Sequence, residues 1–365
     1  MPMLTEGQKV RGTYEVERFL GEGAFAEVYR VRHRFLGRQA MKVFKQTGMS
    51  AAETEEALGE AILLSRLGHP NIVRVFDADV VETNSGSFGF FTMEYVAGGS
   101  LEQFWKSHGA RFVPVETVRE IMIQVCRGLS VAHGEKPPII HRDIKPQNIL
   151  VGYDGTGLRI RASDFGLAKR VNPLTFLASA RGTRAFKAPE CFIHPEADSV
   201  AGDIWALGCT LYLLLTDRFP FPESDEKKGG TSANGARPVA PSRLNPDADR
   251  SLDEIVARCL NPDPGGRYSS ATAMLDALEA KRREPAETGI SRAEAGQTSK
   301  AAFGPPSAQN EAEGRRLADL ALTIAKEPAR LSEAADQLEE ALNRWPPLRD
   351  EFEYRISLWR RGVSL

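Results

Sequence analysis

The stretch His141-Arg142-Asp143-Ile144-Lys145-Pro146-Gln147-Asn148 sets a potential base, a cation and an amide within one short loop. Asp143 can accept the proton of a hydroxyl, Lys145 can neutralise charge on a transferring phosphate, and Asn148 can hold a Mg²⁺ ion. Phosphoryl transfer has a loose transition state, so it asks a protein for positioning and charge neutralisation rather than covalent chemistry. An Asp-x-x-x-x-Asn fragment is common by chance, whereas the whole eight-residue run is not.

Other stretches stand around it in a fixed order. Leu20-Gly21-Glu22-Gly23-Ala24-Phe25-Ala26-Glu27-Val28 is glycine-rich, and Gln39-Ala40-Met41-Lys42 places a lysine on a strand-like run. Residues 53–67 carry Leu58, Ile62, Leu64 and Leu67 at roughly helical spacing, with Glu60 among them, ahead of His69-Pro70-Asn71-Ile72-Val73. Asp164-Phe165-Gly166 follows a predicted strand over 158–162, and Ala188-Pro189-Glu190, Asp203-Ile204-Trp205-Ala206-Leu207-Gly208 and Arg267 complete the series. In this order the motifs resemble those of the eukaryotic-type, or Hanks-type, serine/threonine protein kinases, over about residues 12 to 280. The resemblance implies an α+β fold of two lobes, a small β-rich lobe with one helix and a larger helical lobe. It also implies ATP, Mg²⁺ (with Mn²⁺ as an alternative) and protein substrates bearing Ser or Thr.

The resemblance also implies a role for each matching residue. Leu20, Gly21 and Gly23 belong to the loop over the ATP phosphates, whose third glycine is Ala26 here. Lys42 would contact the α- and β-phosphates and pair with Glu60, with Glu56 as the competing carboxylate. Asp164 and Asn148 would hold the metal. Val28, Ala40 and Leu150 would sandwich the adenine, Met93 would be the gatekeeper, and the backbone of Glu94 and Val96 would meet the adenine edge. Phe165 and Gly166 are structural in the family, as are a Glu190–Arg267 pair and a buried Asp203 bonded to the catalytic loop. Lys145 marks the serine/threonine group. Thr183 would bond near Asp143 and Lys145, and Phe186 replaces the family's tyrosine beyond it. Arg142 would receive a phosphate placed on Ser179 or Thr175 by autophosphorylation, which suits a signalling enzyme. Ser100 and Gln147 stand where arginine-directed relatives place acidic residues, so a basic consensus has no support.

Composition sets the wider frame. The 365 residues, 42% of them hydrophobic, suffice for a large core and more than one domain, and a formal net charge of −2 argues against nucleic-acid or general membrane binding. Cys126, Cys191, Cys209 and Cys259 are scattered, without a Cys-x-x-Cys pair, so neither zinc nor a disulfide framework is indicated and a reducing, cytoplasmic setting is expected. Residues 1–281 are expected to form the kinase domain, with an N-lobe at 12–92, a hinge at 93–99 and a C-lobe at 100–281. Pro220-Phe221-Pro222 is expected to stop the helix begun near Asp203, and residues 227–235 read as loop where the family has a further helix. Residues 282–310 are poor in large apolar side chains and read as a flexible linker. Residues 311–365 then recover helical pattern in three segments, with Leu317, Leu320, Ala321 and Ile324 forming the first stripe. They weakly resemble a lone helical-repeat unit, which would need the kinase body or a protein partner to pack against.

Overall fold

The computed structural model describes residues 2–363 except 24, 25, 49, 58, 60, 61, 63, 64, 66, 67, 84, 110, 111, 155, 156, 166–183, 194–197, 222–236 and 283–307. The N-terminal part is a six-stranded antiparallel sheet in the order β1-β2-β3-β4-β6-β5. Its strands are β1 (Lys9–Val10), β2 (Tyr14–Glu22), β3 (Ala26–His33), β4 (Gly37–Thr47), β5 (Val75–Thr83) and β6 (Gly86–Glu94), with helix α1 (Ala51–Ala57) between β4 and β5. The two-residue period of a strand assigns their faces. Tyr29, Val31, Met41 and Val43 point into one apolar layer, while Ala26, Ala40, Phe44 and Met93 form another. Lys42 falls between Ala40 and Phe44 in this alternation, so its side chain issues from the second face.

The C-terminal lobe holds α2 (Leu101–Ser107), α3 (Val115–Gly134), the hairpin β7 (Ile149–Asp154) with β8 (Gly157–Ala162), α4 (Glu190–Ile193), α5 (Val200–Thr216), α6 (Arg250–Cys259) and α7 (Ala271–Arg282). Helix α5 is buried continuously from Asp203 to Thr216, as its nearly unbroken apolar sequence demands. It is the axle on which α3, α6 and the loop before β7 pack. The helix ends before Pro220. Asp217 turns to the left-handed region at φ 54°, its N–H returns to the Leu213 carbonyl, and its carboxylate accepts from Trp105 Nε1 at 2.7 Å. The stop is therefore made by a cap and a tertiary hydrogen bond, not by the proline.

Three further helices follow: α8 (Ala308–Ile324), α9 (Leu331–Arg344) and α10 (Arg349–Arg360). Helix α8 begins inside the segment expected to be linker. The three share a core that includes Ala321, Ala334, Leu338, Leu342 and Ile356. Gly314 is required here, because a Cβ at that position would lie 2.3 Å from Trp345 Cβ. Leu320, expected on the first apolar stripe, is 47% exposed. Leu317, Ala318, Ala321, Ile324 and Ala325 make the buried stripe, and Leu320 lies about 100° from its centre on a 3.6-residue helix. The unit packs on the kinase body rather than standing apart, through α9 against α2 and α10 against β7.

Candidate active site

Between the sheet and the helical lobe lies a cleft of about 990 Å³. Its roof carries Leu20, Gly21 and Gly23 from β2 and the turn after it, and Val28 from β3. The roof turn is closed by a hydrogen bond from Gly23 N–H to the Ala26 carbonyl at 2.8 Å. Ala40, Met93 and Leu150 complete the apolar walls, so this end suits a flat, weakly polar ring.

The strand leading out of β6 crosses behind the cleft. Glu94 N–H is committed to the Arg74 carbonyl at 2.8 Å, so of its two backbone groups only the carbonyl remains for a ligand. The Glu94 side chain is turned to Arg161 at 3.0 Å. Val96 accepts from Gly99 N–H at 3.3 Å, which leaves the Val96 N–H as its available group. Gly98 presses against β7: a Cβ there would meet the Val151 carbonyl at 2.2 Å. No other residue type fits that approach, and it is what brings this crossing segment onto the floor strand.

Polar groups gather at the far end. Asp143 Oδ2 accepts from Lys145 Nζ at 2.8 Å and from Asn148 Nδ2 at 2.9 Å, and Asn148 Nδ2 also reaches the Asp143 carbonyl at 2.8 Å. Lys42 Nζ meets Asp164 Oδ2 at 2.6 Å, linking the sheet to the helical lobe. Asp164 adopts a left-handed φ of 65°, as does Arg142 at 71°. Non-glycine residues hold that conformation when their surroundings over-determine it. For Arg142 the restraint is visible. Asp203, 2% exposed, accepts from the N–H groups of His141 at 2.7 Å and Arg142 at 2.9 Å. Burial alone would push the Asp203 carboxyl up, but the His133 bond at 3.0 Å and the His141 N–H hold it below the usual range. Phe165 packs its ring 4.4 Å from that of His141, whose own pKa burial lowers.

Further from the cleft, Arg267 clasps Glu190 through both terminal nitrogens at 2.6 and 2.7 Å. Arg142 Nε stands 3.2 Å from Asp198, a carboxylate with nothing in its local sequence to announce it. Lys187 is also new: its ammonium donates to the Arg142 carbonyl at 2.6 Å, and burial lowers its pKa. Glu60, Gly166, Thr175, Ser179 and Thr183 lie outside the described residues, and Glu56 is exposed on α1.

A family model described as the protein kinase domain matches residues 14–278. The chain belongs to that family. The kinase domain is 31% identical over 283 residues to a probable serine/threonine-protein kinase of Streptomyces coelicolor, covering 76% of this chain and 41% of the relative. It is 29% identical over 262 residues to the human SNF-related serine/threonine-protein kinase, covering 72% of this chain and 32% of that one. The chain thus spans about two fifths or less of the length of these curated relatives. Among solved structures, the Mycobacterium tuberculosis PknI kinase domain superposes with a TM-score of 0.57 at 28% identity, covering 76% of this chain and 99% of that domain.

The kinase domain has room for the divalent ion its family uses. Asp164 Oδ1 is buried without a hydrogen-bond partner, although its other oxygen is paired with Lys42. Asn148 gives its NH₂ to Asp143, so its carbonyl oxygen is the atom left for a cation. One carboxylate and one amide oxygen suit Mg²⁺, which keeps waters and phosphate oxygens as its other ligands. Among the described residues no group of three or more His, Cys, Asp or Glu is placed to hold a metal ion.

Proposed function

We propose that this chain is a serine/threonine protein kinase that transfers the γ-phosphate of ATP to protein hydroxyls. The observation that carries the reading is Asp143, held between Lys145 and Asn148 at the polar end of a cleft whose other end is apolar. The adenine would lie between Val28, Ala40 and Leu150, with its edge toward the Glu94 carbonyl and the Val96 N–H. Its phosphates would then run toward Lys42. Asp143 orients the acceptor hydroxyl and takes its proton, while Lys145 lies against the transferring group. Lys42, at present on Asp164, is placed to move onto the α- and β-phosphates. Mg²⁺ on Asp164 and Asn148 would neutralise the charge of the β- and γ-phosphates.

The serine/threonine assignment rests on Lys145 and on the names of the relatives. A signalling role in the cytoplasm is proposed with it; the four cysteines are free thiols, and among the described residues no helix is long and apolar enough to cross a membrane. Autophosphorylation at Ser179 or Thr175 is proposed as well. Arg142 is the receiving cation in that scheme, and a loop phosphate would have to share it with Asp198.

The test is transfer of label from [γ-³²P]ATP to generic protein substrates with Mg²⁺, followed by mass mapping of the enzyme. Wild type is expected to label Ser and Thr, and Asp143→Asn, Lys42→Ala and Asp164→Ala to lose nearly all turnover, about 10²-fold or more. Equal labelling by wild type and Asp143→Asn would end the reading. An active sample with Ser179 and Thr175 unmodified would end the autophosphorylation part alone.

A further inference from the structure

The C-terminal helices reach the nucleotide cleft, and the charges there explain how. Arg18 on β2 and Arg30 on β3 are directly opposed cross-strand neighbours. Like charges so placed repel. Arg32 and Arg38, paired across β3 and β4, add two more cations nearby. Within the lobe, Glu17 meets Arg30 at 2.7 Å, Arg32 at 2.8 Å and Arg38 at 3.2 Å, which leaves Arg18 without it. The missing carboxylate comes from α9. One Glu340 oxygen meets Arg18 and the other meets Arg30 Nη1 at 2.9 Å, in a site where the Glu340 side chain is only 8% exposed.

One turn further along α9, Asn343 donates Nδ2 to the Ala97 carbonyl at 3.1 Å, in the segment that crosses behind the cleft. Helix α10 takes the floor. Arg349 Nη1 donates to the Tyr153 hydroxyl on β7 at 2.9 Å, and its guanidinium lies 4.8 Å from the Phe104 ring on α2. One packed helical unit therefore grips the roof of the cleft, the segment behind it and, outside the cleft lining, the strand β7 that carries Leu150 of its floor. The grip on the roof is close to the cleft lining: Arg18 is next but one to Leu20 and Arg30 next but one to Val28, and both Leu20 and Val28 line the cleft. Glu340 and Asn343 line its mouth themselves.

We propose that Glu340 and Asn343 are positioning residues for the nucleotide. They fix the height of the roof above the crossing segment, and the C-terminal helices thereby set nucleotide affinity. The inference rests on the nucleotide reading of the cleft. Removing the Glu340 charge leaves Arg18 without its carboxylate, facing an Arg30 that keeps only Glu17, itself shared with Arg32 and Arg38, and the roof strands relieve the repulsion by shifting. A cleft that is only part of the time at the right height binds with affinity reduced by that fraction. Chemistry at saturating nucleotide is unaffected, since neither residue touches the reacting atoms.

Full-length wild type, Glu340→Gln and Asn343→Ala are titrated calorimetrically with AMP-PNP and Mg²⁺, and their kcat and KM for ATP are measured. Glu340→Gln is expected to weaken AMP-PNP binding and raise KM about tenfold, with kcat within about twofold of wild type. Asn343→Ala, which removes one hydrogen bond, should move the same two quantities by about threefold. If Glu340→Gln fails to fold, the same split in Asn343→Ala carries the proposal. Unchanged affinity in both variants would overturn it, as would a fall in kcat and folded fraction with KM unmoved. Wild type that binds no AMP-PNP would overturn the nucleotide reading of the cleft, and this inference with it.

Discussion

Arg267 shows how much one buried side chain can organise. Its side chain is fully buried, both terminal nitrogens serve Glu190, and Nη1 also donates to the Ala201 carbonyl at 2.9 Å while Nε serves Asn261 at 2.8 Å. The guanidinium lies 4.9 Å from the Trp205 ring. Arg267→Ala should cost about 3–5 kcal/mol, because it strands the Glu190 carboxylate and several carbonyls together. Urea unfolding of the variant against wild type measures this, and a loss below about 1 kcal/mol would show that water enters and replaces the arginine. At this scale the sequence was informative about kind. Asp143, Lys145 and Asn148 stand within a few residues of one another, so a local motif could bring them together. Lys42 and Asp164, 122 positions apart, could be read as site residues but not as each other's partners. No local pattern marks Lys187 or Asp198, because each looks like an ordinary surface charge until the fold packs around it.

Helix α9 carries the clearest conflict between pattern and burial. Glu339 is 1% exposed on its side chain and meets Arg360 at 3.1 Å, with Asp336 also on that guanidinium. Burial pushes the Glu339 carboxyl from its ordinary 4.5 up to about 7, against the pull of Arg360. A raised carboxyl pKa means that the folded chain binds this proton more tightly than the unfolded chain does. Its contribution is therefore fully present below the ordinary value and is lost as pH climbs through about 7. Glu339→Gln should remove up to roughly 3 kcal/mol of that pH dependence. Denaturant melts at about pH 5 and about pH 8 measure it, and identical slopes in wild type and variant would refute it. Elements whose burial follows their own pattern were legible. The alternation of β3 and the apolar run of α5 each name their buried face without help. The end of α5 was not, because Asp217 acts there through Trp105, which is remote in sequence.

Across the molecule, the two lobes meet through Lys42 and Asp164 on the inside and through the C-terminal helices on the outside. Arg349 is the main polar link of those helices to the helical lobe, joined by Glu353, which shares the Tyr153 hydroxyl. Arg349→Ala should cost about 1–2 kcal/mol through the lost cation–π contact and hydrogen bonds. Hydrogen exchange would then rise in α10 and on the facing strand β7, while α9 stays protected by Glu340. Equal acceleration of α9 and α10 would show that the unit comes off as one body.

The motifs by themselves determined the family, the two-lobed α+β architecture and the chemical character of the cleft. Those features rest on residue types in a fixed order, and a backbone path that satisfies the order brings them to one place. Tertiary structure alone decided that Arg142 meets Asp198, that Asp217 ends α5, and that α8–α10 close on the cleft. These depend on burial and on charges hundreds of positions apart, such as Arg30 and Glu340. No local period encodes such a pair; only the packed chain removes the water that would otherwise screen it.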